Sequence, residues 1–200
     1  DITLNLWMKG DEGREIFSAL SPMTEGLSRI KNMPYSIKDQ PTLTFVARQK
    51  GEAWNRPFVA VYEPSTVKEP SCIASVDYPQ VKSEQQGSHV GIRVALTNGN
   101  VDWILSSDEN AHHCKLEKLQ ARAGYALCRQ SEKGETLQTF LGNGTQLEAD
   151  GVSIRTDAPA DVLLLKQDGK WMYTATAPCQ IVVGKKKYTL SVSKELRLLK

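Results

Sequence analysis

Two hundred residues, 40% of them hydrophobic, suffice for one large or two small domains with a sizeable core, and a net charge of +2 lacks the dense basic face that a nucleic-acid partner requires. No apolar run approaches the ~20 residues that a bilayer-spanning helix needs. Cys72, Cys114, Cys128 and Cys179 show no Cys-x-x-Cys spacing, which argues against a structural zinc site and for thiols that are mostly free and buried.

The chain opens at Asp1 without Met and runs directly into Ile2, Leu4, Leu6 and Met8, a strand pattern. This reads as a mature or cut product, a C-terminal piece of something longer. Gly10-Asp11-Glu12-Gly13 turns the chain, and Ile16 to Leu20 is a second short strand. Residues 21–41, broken by Pro22, Gly26, Pro34 and Pro41, read as a long irregular loop holding Glu25, Arg29 and Tyr35. Leu43, Phe45 and Ala47 alternate with Thr44, Val46 and Arg48, a strand with one drier face. Phe58 to Tyr62 is a continuous apolar run, the pattern of a strand covered on both faces. If these two strands pair, Arg48 comes close to the connection between them, which carries Glu52, Trp54, Asn55 and Arg56.

Cys72 to Tyr78 continues the strand series. Val90 to Leu96 and Val101 to Leu105 flank Asn98-Gly99, a hairpin signal, because Asn-Gly tolerates the positive φ of a tight turn. Residues 106–114 form a polar loop with His112 and His113, and residues 115–123 fit helix and strand about equally, with the strand-rich surroundings favouring strand. Beyond 134, turn signals recur roughly every 8–12 residues. They place hairpins at Gly142-Asn143-Gly144, Asp150-Gly151, Asp168-Gly169 and Gly184 with its lysines. The fold class is all-β, an antiparallel β-sandwich. The polar break at 129–134 sets the expected division, residues 1–128 as the sandwich and 129–200 as a smaller C-terminal β-sheet domain packed on it.

Trp54, Asn55 and Arg56 are the best sugar-contact candidates. An indole stacks on the apolar face of a pyranose, while an amide and a guanidinium satisfy hydroxyl and acid groups. The competing reading has Trp54 plugging the core edge and Arg56 paired with Glu52. His89 shares a strand face with Gly91 and Arg93, so a His-Arg pair could hold a carboxylate or sulfate; an exposed strand face is the plainer alternative. The candidate carbohydrate contacts are therefore Arg48, Glu52, Trp54, Asn55, Arg56 and His89. No catalytic residue, metal ligand or cofactor motif is assigned: consecutive His112 and His113 point to opposite faces in an extended chain, and no nucleophile elbow or phosphate loop occurs.

Gly51-Glu52-Ala53-Trp54-Asn55-Arg56-Pro57-Phe58-Val59-Ala60-Val61-Tyr62-Glu63-Pro64 resembles the β-rich region of heparinase II/III-like polysaccharide lyases. Residues Ser21 to Arg29 and Asp150 to Ile154 through Trp171 are similar too. The resemblance implies a supersandwich-like β region that shares a cleft for acidic, uronate-containing polysaccharide with an upstream α/α toroid of the same polypeptide. It also implies eliminative cleavage and a periplasmic or extracellular location. Elimination needs a carboxylate neutraliser, a base and an acid, and none of the family's residues for these roles matches a position here. The expected role is thus the non-catalytic part that supports and partly lines the cleft; a free-standing carbohydrate-binding module and a purely structural β-domain are the alternatives.

Overall fold

The computed structural model describes residues 2–21, 31, 41–52, 56–85 and 89–200. Every regular element among them is a strand, and every strand pairing is antiparallel. The all-β class expected from alternation and turn chemistry is what the chain adopts. Contacts divide it into two compact units, one of Asp1–Lys9 with Trp54–Lys200 and one of Gly10–Ala53.

Among its described residues, the smaller unit contains the antiparallel pair β2 (Arg14–Ser21) and β3 (Thr42–Gln49), a β2–β3 hairpin. Cross-strand partners share a face, so Ile16, Leu20, Leu43 and Phe45 line one side, and all four are exposed. On the other side Arg48 reaches Glu15 at 2.7 Å and lies over the Phe17 ring.

In the larger unit, β1 (Ile2–Met8) pairs with β4 (Ala60–Thr66) as a separate two-stranded sheet. The 43–48 and 58–62 strands, β3 and β4, each take a partner from the first twenty-one residues. The 58–62 run is not covered on both faces. Val59 is buried, whereas Phe58 and Tyr62 are exposed, because only one side of the β1–β4 ribbon packs inward. Its outer side carries Ile2 (79% exposed), Leu4, Leu6 and Tyr62.

Twelve strands make the main sheet system. They are β5 (Ile73–Asp77), β6 (Lys82–Ser83), β7 (His89–Leu96), β8 (Val101–Ser107), β9 (His113–Leu116), β10 (Leu119–Gln130), β11 (Thr136–Ala149), β12 (Val152–Gln167), β13 (Lys170–Ala175), β14 (Cys179–Val183), β15 (Lys186–Leu190) and β16 (Ser193–Leu198). Three of these, β10, β11 and β12, are long and change partners along their length. The later half of β10 pairs with β8 and its first residues with β9. The later half of β12 pairs with β13 and its first residues with β14. One layer thus runs β5-β7-β8-β10-β11-β12-β13-β16, and the other runs β6-β9-β10-β11-β12-β14-β15. The long strands cross between layers where the register slips, near Arg122/Ala123 on β10 and Leu141 to Gln146 on β11. Bulges at such corners bend strands from one sheet of a sandwich into the other.

The buried residues between the layers form one cluster, with Leu105, Leu116, Leu147, Ile154, Leu164 and Ile181 at its centre. The layers meet closely at Gly91 on β7, where an added Cβ would sit 2.7 Å from a Leu116 methyl on β9. The ambiguous 115–123 stretch is the end of β9 and the start of β10, joined at Glu117 with φ of 51°. The Asn98-Gly99, Asp150-Gly151, Asp168-Gly169 and Gly184 turns all join neighbouring antiparallel strands. The Gly142-Asn143-Gly144 hairpin does not form. Residues 136–149 are the single strand β11, and these glycines serve close approach: a Cβ on Gly144 would lie 2.5 Å from that of Ala123. Residues 129–134 contain the β10–β11 turn, with Gly134 N bonded to Ser131 O. All four cysteines are free, three of them buried and Cys72 exposed.

Candidate functional site

The candidate sugar contacts are distributed over both compact units and a segment outside the described residues. Trp54 and Asn55, like the 22–30 and 32–40 segments that hold Glu25, Arg29 and Tyr35, lie outside the described residues. Arg48 and Glu52 belong to the smaller unit, and Arg56 and His89 to the larger one. Arg48 is engaged by Glu15, and Glu52 is an exposed residue beyond the end of β3.

His89 opens β7 directly opposite Ser107 of β8. Its Nδ1 is 3.1 Å from Ser107 Oγ and 3.5 Å from Cys114 Sγ, and its Nε2 is 3.2 Å from Gln85 O. The carbonyl can only accept, so Nε2 donates to it. Arg93 does not join it in an anion clamp. It pairs with Asp77 at 2.8 Å and lies over the Trp103 ring, while Gly91 between them is packed against Leu116 and Val81. This face of β7 is covered at Gly91 and partly open at His89 and Arg93, where an open strand face was the plainer expectation.

The other two histidines converge on the same region. His112 Nε2 is 3.2 Å from Glu109, and its ring meets that of His89 edge-on at 6.0 Å. His113 turns toward Glu84, which also receives Arg122 at 3.2 Å. Among the described residues, no group of three or more His, Cys, Asp or Glu could hold a metal ion. Cys114 is fully buried, so its proximity to His89 gives no nucleophile that a substrate could reach.

Strand register creates two polar features that no local sequence signal marks. Asp102 on β8 faces Arg129 on β10, and the guanidinium forks onto the carboxylate with both contacts at 2.6 Å. On the outer side of the second layer, Gln146, Arg155, Gln180 and Thr189 stand in one row across β11, β12, β14 and β15. Their sequence neighbours Leu147, Ile154 and Ile181 point the opposite way, into the core, and are fully buried. A hollow of about 470 Å³ opens along this row, where β12 departs from β11 after Arg155.

Residues 79–166, spanning β6 to β12, match the family model described as the endo-acting ulvan lyase C-terminal domain. Among curated proteins, an endo-acting ulvan lyase of Formosa agariphila is 27% identical over 158 residues, an alignment covering 77% of this chain and 18% of that protein. The chain therefore spans less than a fifth of that relative's length. The matched segment contains the three crossing strands, the histidine region and Arg155, so similarity and core architecture coincide. Residues 79–166 are thus similar to an endo-acting ulvan lyase C-terminal domain, and the chain as a whole is distantly similar to a polysaccharide lyase.

Proposed function

We propose that this chain is the non-catalytic β-sandwich part of a heparinase II/III-like polysaccharide lyase, supporting and partly lining a cleft for an acidic, uronate-containing polysaccharide such as ulvan. The match of residues 79–166 to an ulvan lyase C-terminal domain carries this reading. The apolar outer side of the β1–β4 ribbon and the apolar side of the β2–β3 hairpin support it, since soluble chains seldom leave rows of Ile, Leu and Phe open to water. Further polypeptide of the same enzyme, a helical toroid preceding this part, is the proposed cover. Trp54, Asn55 and Arg56, with Arg48, Glu52 and His89, remain the proposed sugar contacts. Export to the periplasm or the cell exterior belongs to the same proposal, because the polymer lies there.

The test is lyase activity on ulvan and other uronate polysaccharides, followed by the ultraviolet absorbance of the unsaturated uronate product. The 200-residue chain alone should release none, and the intact polypeptide containing it should be active. Product from the isolated chain would overturn its non-catalytic role. An intact polypeptide inactive on every uronate polymer would overturn the lyase reading.

A further inference from the structure

We infer that the outer side of the second layer holds a glycan site of its own, in which Arg155 takes the carboxylate or sulfate of an acidic saccharide. The choice of an acidic glycan rests on the lyase reading; the site itself rests on geometry. The larger hollow is lined by Gln146, Arg155, Asp157, Gln180 and Thr189 among others. A second hollow of about 260 Å³ shares Arg155 and Gln180 with it and adds Ser153 and Lys187. The two are thus halves of one groove running across β12, β14 and β15, with Arg155 and Gln180 on the ridge between them.

Arg155 is exposed and has a carboxylate neighbour. Its side chain is 65% accessible, and Nη2 rests 3.2 Å from Glu148 Oε1, an oxygen that also accepts from Gln146 Nε2 at 2.9 Å. A guanidinium has five donors, so this single contact leaves donors for a bidentate anion. The rest of the lining suits a sugar. Two amides and several hydroxyls can both donate and accept, as sugar hydroxyls require, and Asp157 can accept from a hydroxyl pair. Two cations, Arg155 and Lys187, stand with Asp157 and with the Glu148 that pairs with Arg155, a mixed field that suits a saccharide with spaced acid groups and falls short of what a phosphate-dense polymer needs. None of these side chains is needed inside, because Leu147, Ile154 and Ile181 fill the core from the same strands.

The experiment is calorimetric titration of the 200-residue chain with sulfated and unsulfated glucuronate oligosaccharides, at low and moderate salt. Saturable binding is expected. Arg155→Ala should weaken it about tenfold, the scale of one charge-assisted hydrogen bond. Arg155→Lys should recover only part, because a point charge lacks the fork. Gln180→Ala gives a second, uncharged probe of the groove and should also weaken binding. Lys170→Ala removes a charge from β13, outside the groove, and should leave binding unchanged. Thermal midpoints report whether each variant is folded. Absence of saturable binding, wild-type affinity in folded Arg155→Ala and Gln180→Ala, or an equal loss in Lys170→Ala would each overturn the site. An active intact lyase with a non-binding chain removes this groove and leaves the lyase reading standing. An inactive intact polypeptide with Arg155-dependent binding does the reverse.

Discussion

Glu63 shows what a single residue does here. It lies on the inner side of β4 with 8% of its surface exposed. Its carboxylate accepts from Ser71 Oγ at 2.5 Å, Cys72 N at 2.6 Å and Ile73 N at 3.0 Å, so it stitches the β1–β4 ribbon to the start of β5. These donors, the Ser71 hydroxyl foremost, hold its pKa at about 2, well below the usual 4.5, although burial pushes the other way. A depressed folded-state pKa means that the stabilisation is complete above about pH 4.5 and is lost as pH falls toward 2. Denaturant midpoints of wild type and Glu63→Gln should therefore differ at pH 7 and converge between pH 4.5 and 2. A gap unchanged over that range would refute the assignment. Residue type told little in advance about Glu63 or His89. Strand alternation puts His89 on a face with Arg93, but whether that face is open depends on β9 and on Val81, which pack over it.

At the scale of the element, β11 is the informative case. Gly142-Asn143-Gly144 has the composition of a hairpin turn, and Asn143 does take a positive φ of 47°. The strand nevertheless continues, because both of its neighbours are long and the glycines let β10 approach. A Cβ on Gly144 would meet Ala123 Cβ at 2.5 Å, Leu141 Cδ1 at 2.6 Å and Arg122 O at 2.7 Å. The last of these is backbone and cannot rotate away. Gly144→Ala should cost about 1–3 kcal/mol by overpacking, measured by chemical denaturation, even though alanine is ordinarily the better-ordered residue. At Gly151 a Cβ would meet nothing within 4 Å, and the φ of +74° is the whole constraint there. Turn-forming dipeptides are read correctly at Asp150-Gly151 and Asp168-Gly169, where the flanking strands have no other way to reverse.

For the whole molecule, the two compact units differ in how their backbone is protected. The large unit buries a continuous core between two layers. The β2–β3 hairpin has two strands and leaves Ile16, Leu20, Leu43 and Phe45 exposed. Two-stranded ribbons are marginal on their own, so opening of the hairpin should take far less free energy than opening the three crossing strands. In native-state hydrogen exchange, the amides of β2 and β3 should exchange at least about a hundredfold faster than those of Leu147, Ile154 and Leu164. Equal protection would show that the hairpin's apolar side is covered in solution. The near-neutral charge accompanies a surface that is apolar at one ribbon and one hairpin and mixed polar along the Arg155 row.

The sequence by itself determined the class and most of the strand inventory. Both are local properties, set by two-residue alternation and by the few side chains that tolerate positive φ, and they persist whatever the strand pairs with. It also carried the resemblance to polysaccharide lyases, and the span that matches the family model, residues 79–166, runs from β6 to β12. Only the tertiary structure decided the partners: β3 with β2, β4 with β1, and β10 to β12 shared between two layers. Pairing is a choice among strands far apart in the chain, and no local pattern encodes it. The Arg155 groove follows from that choice. Gln146, Arg155, Gln180 and Thr189 are ordinary alternating polar positions until register places them side by side.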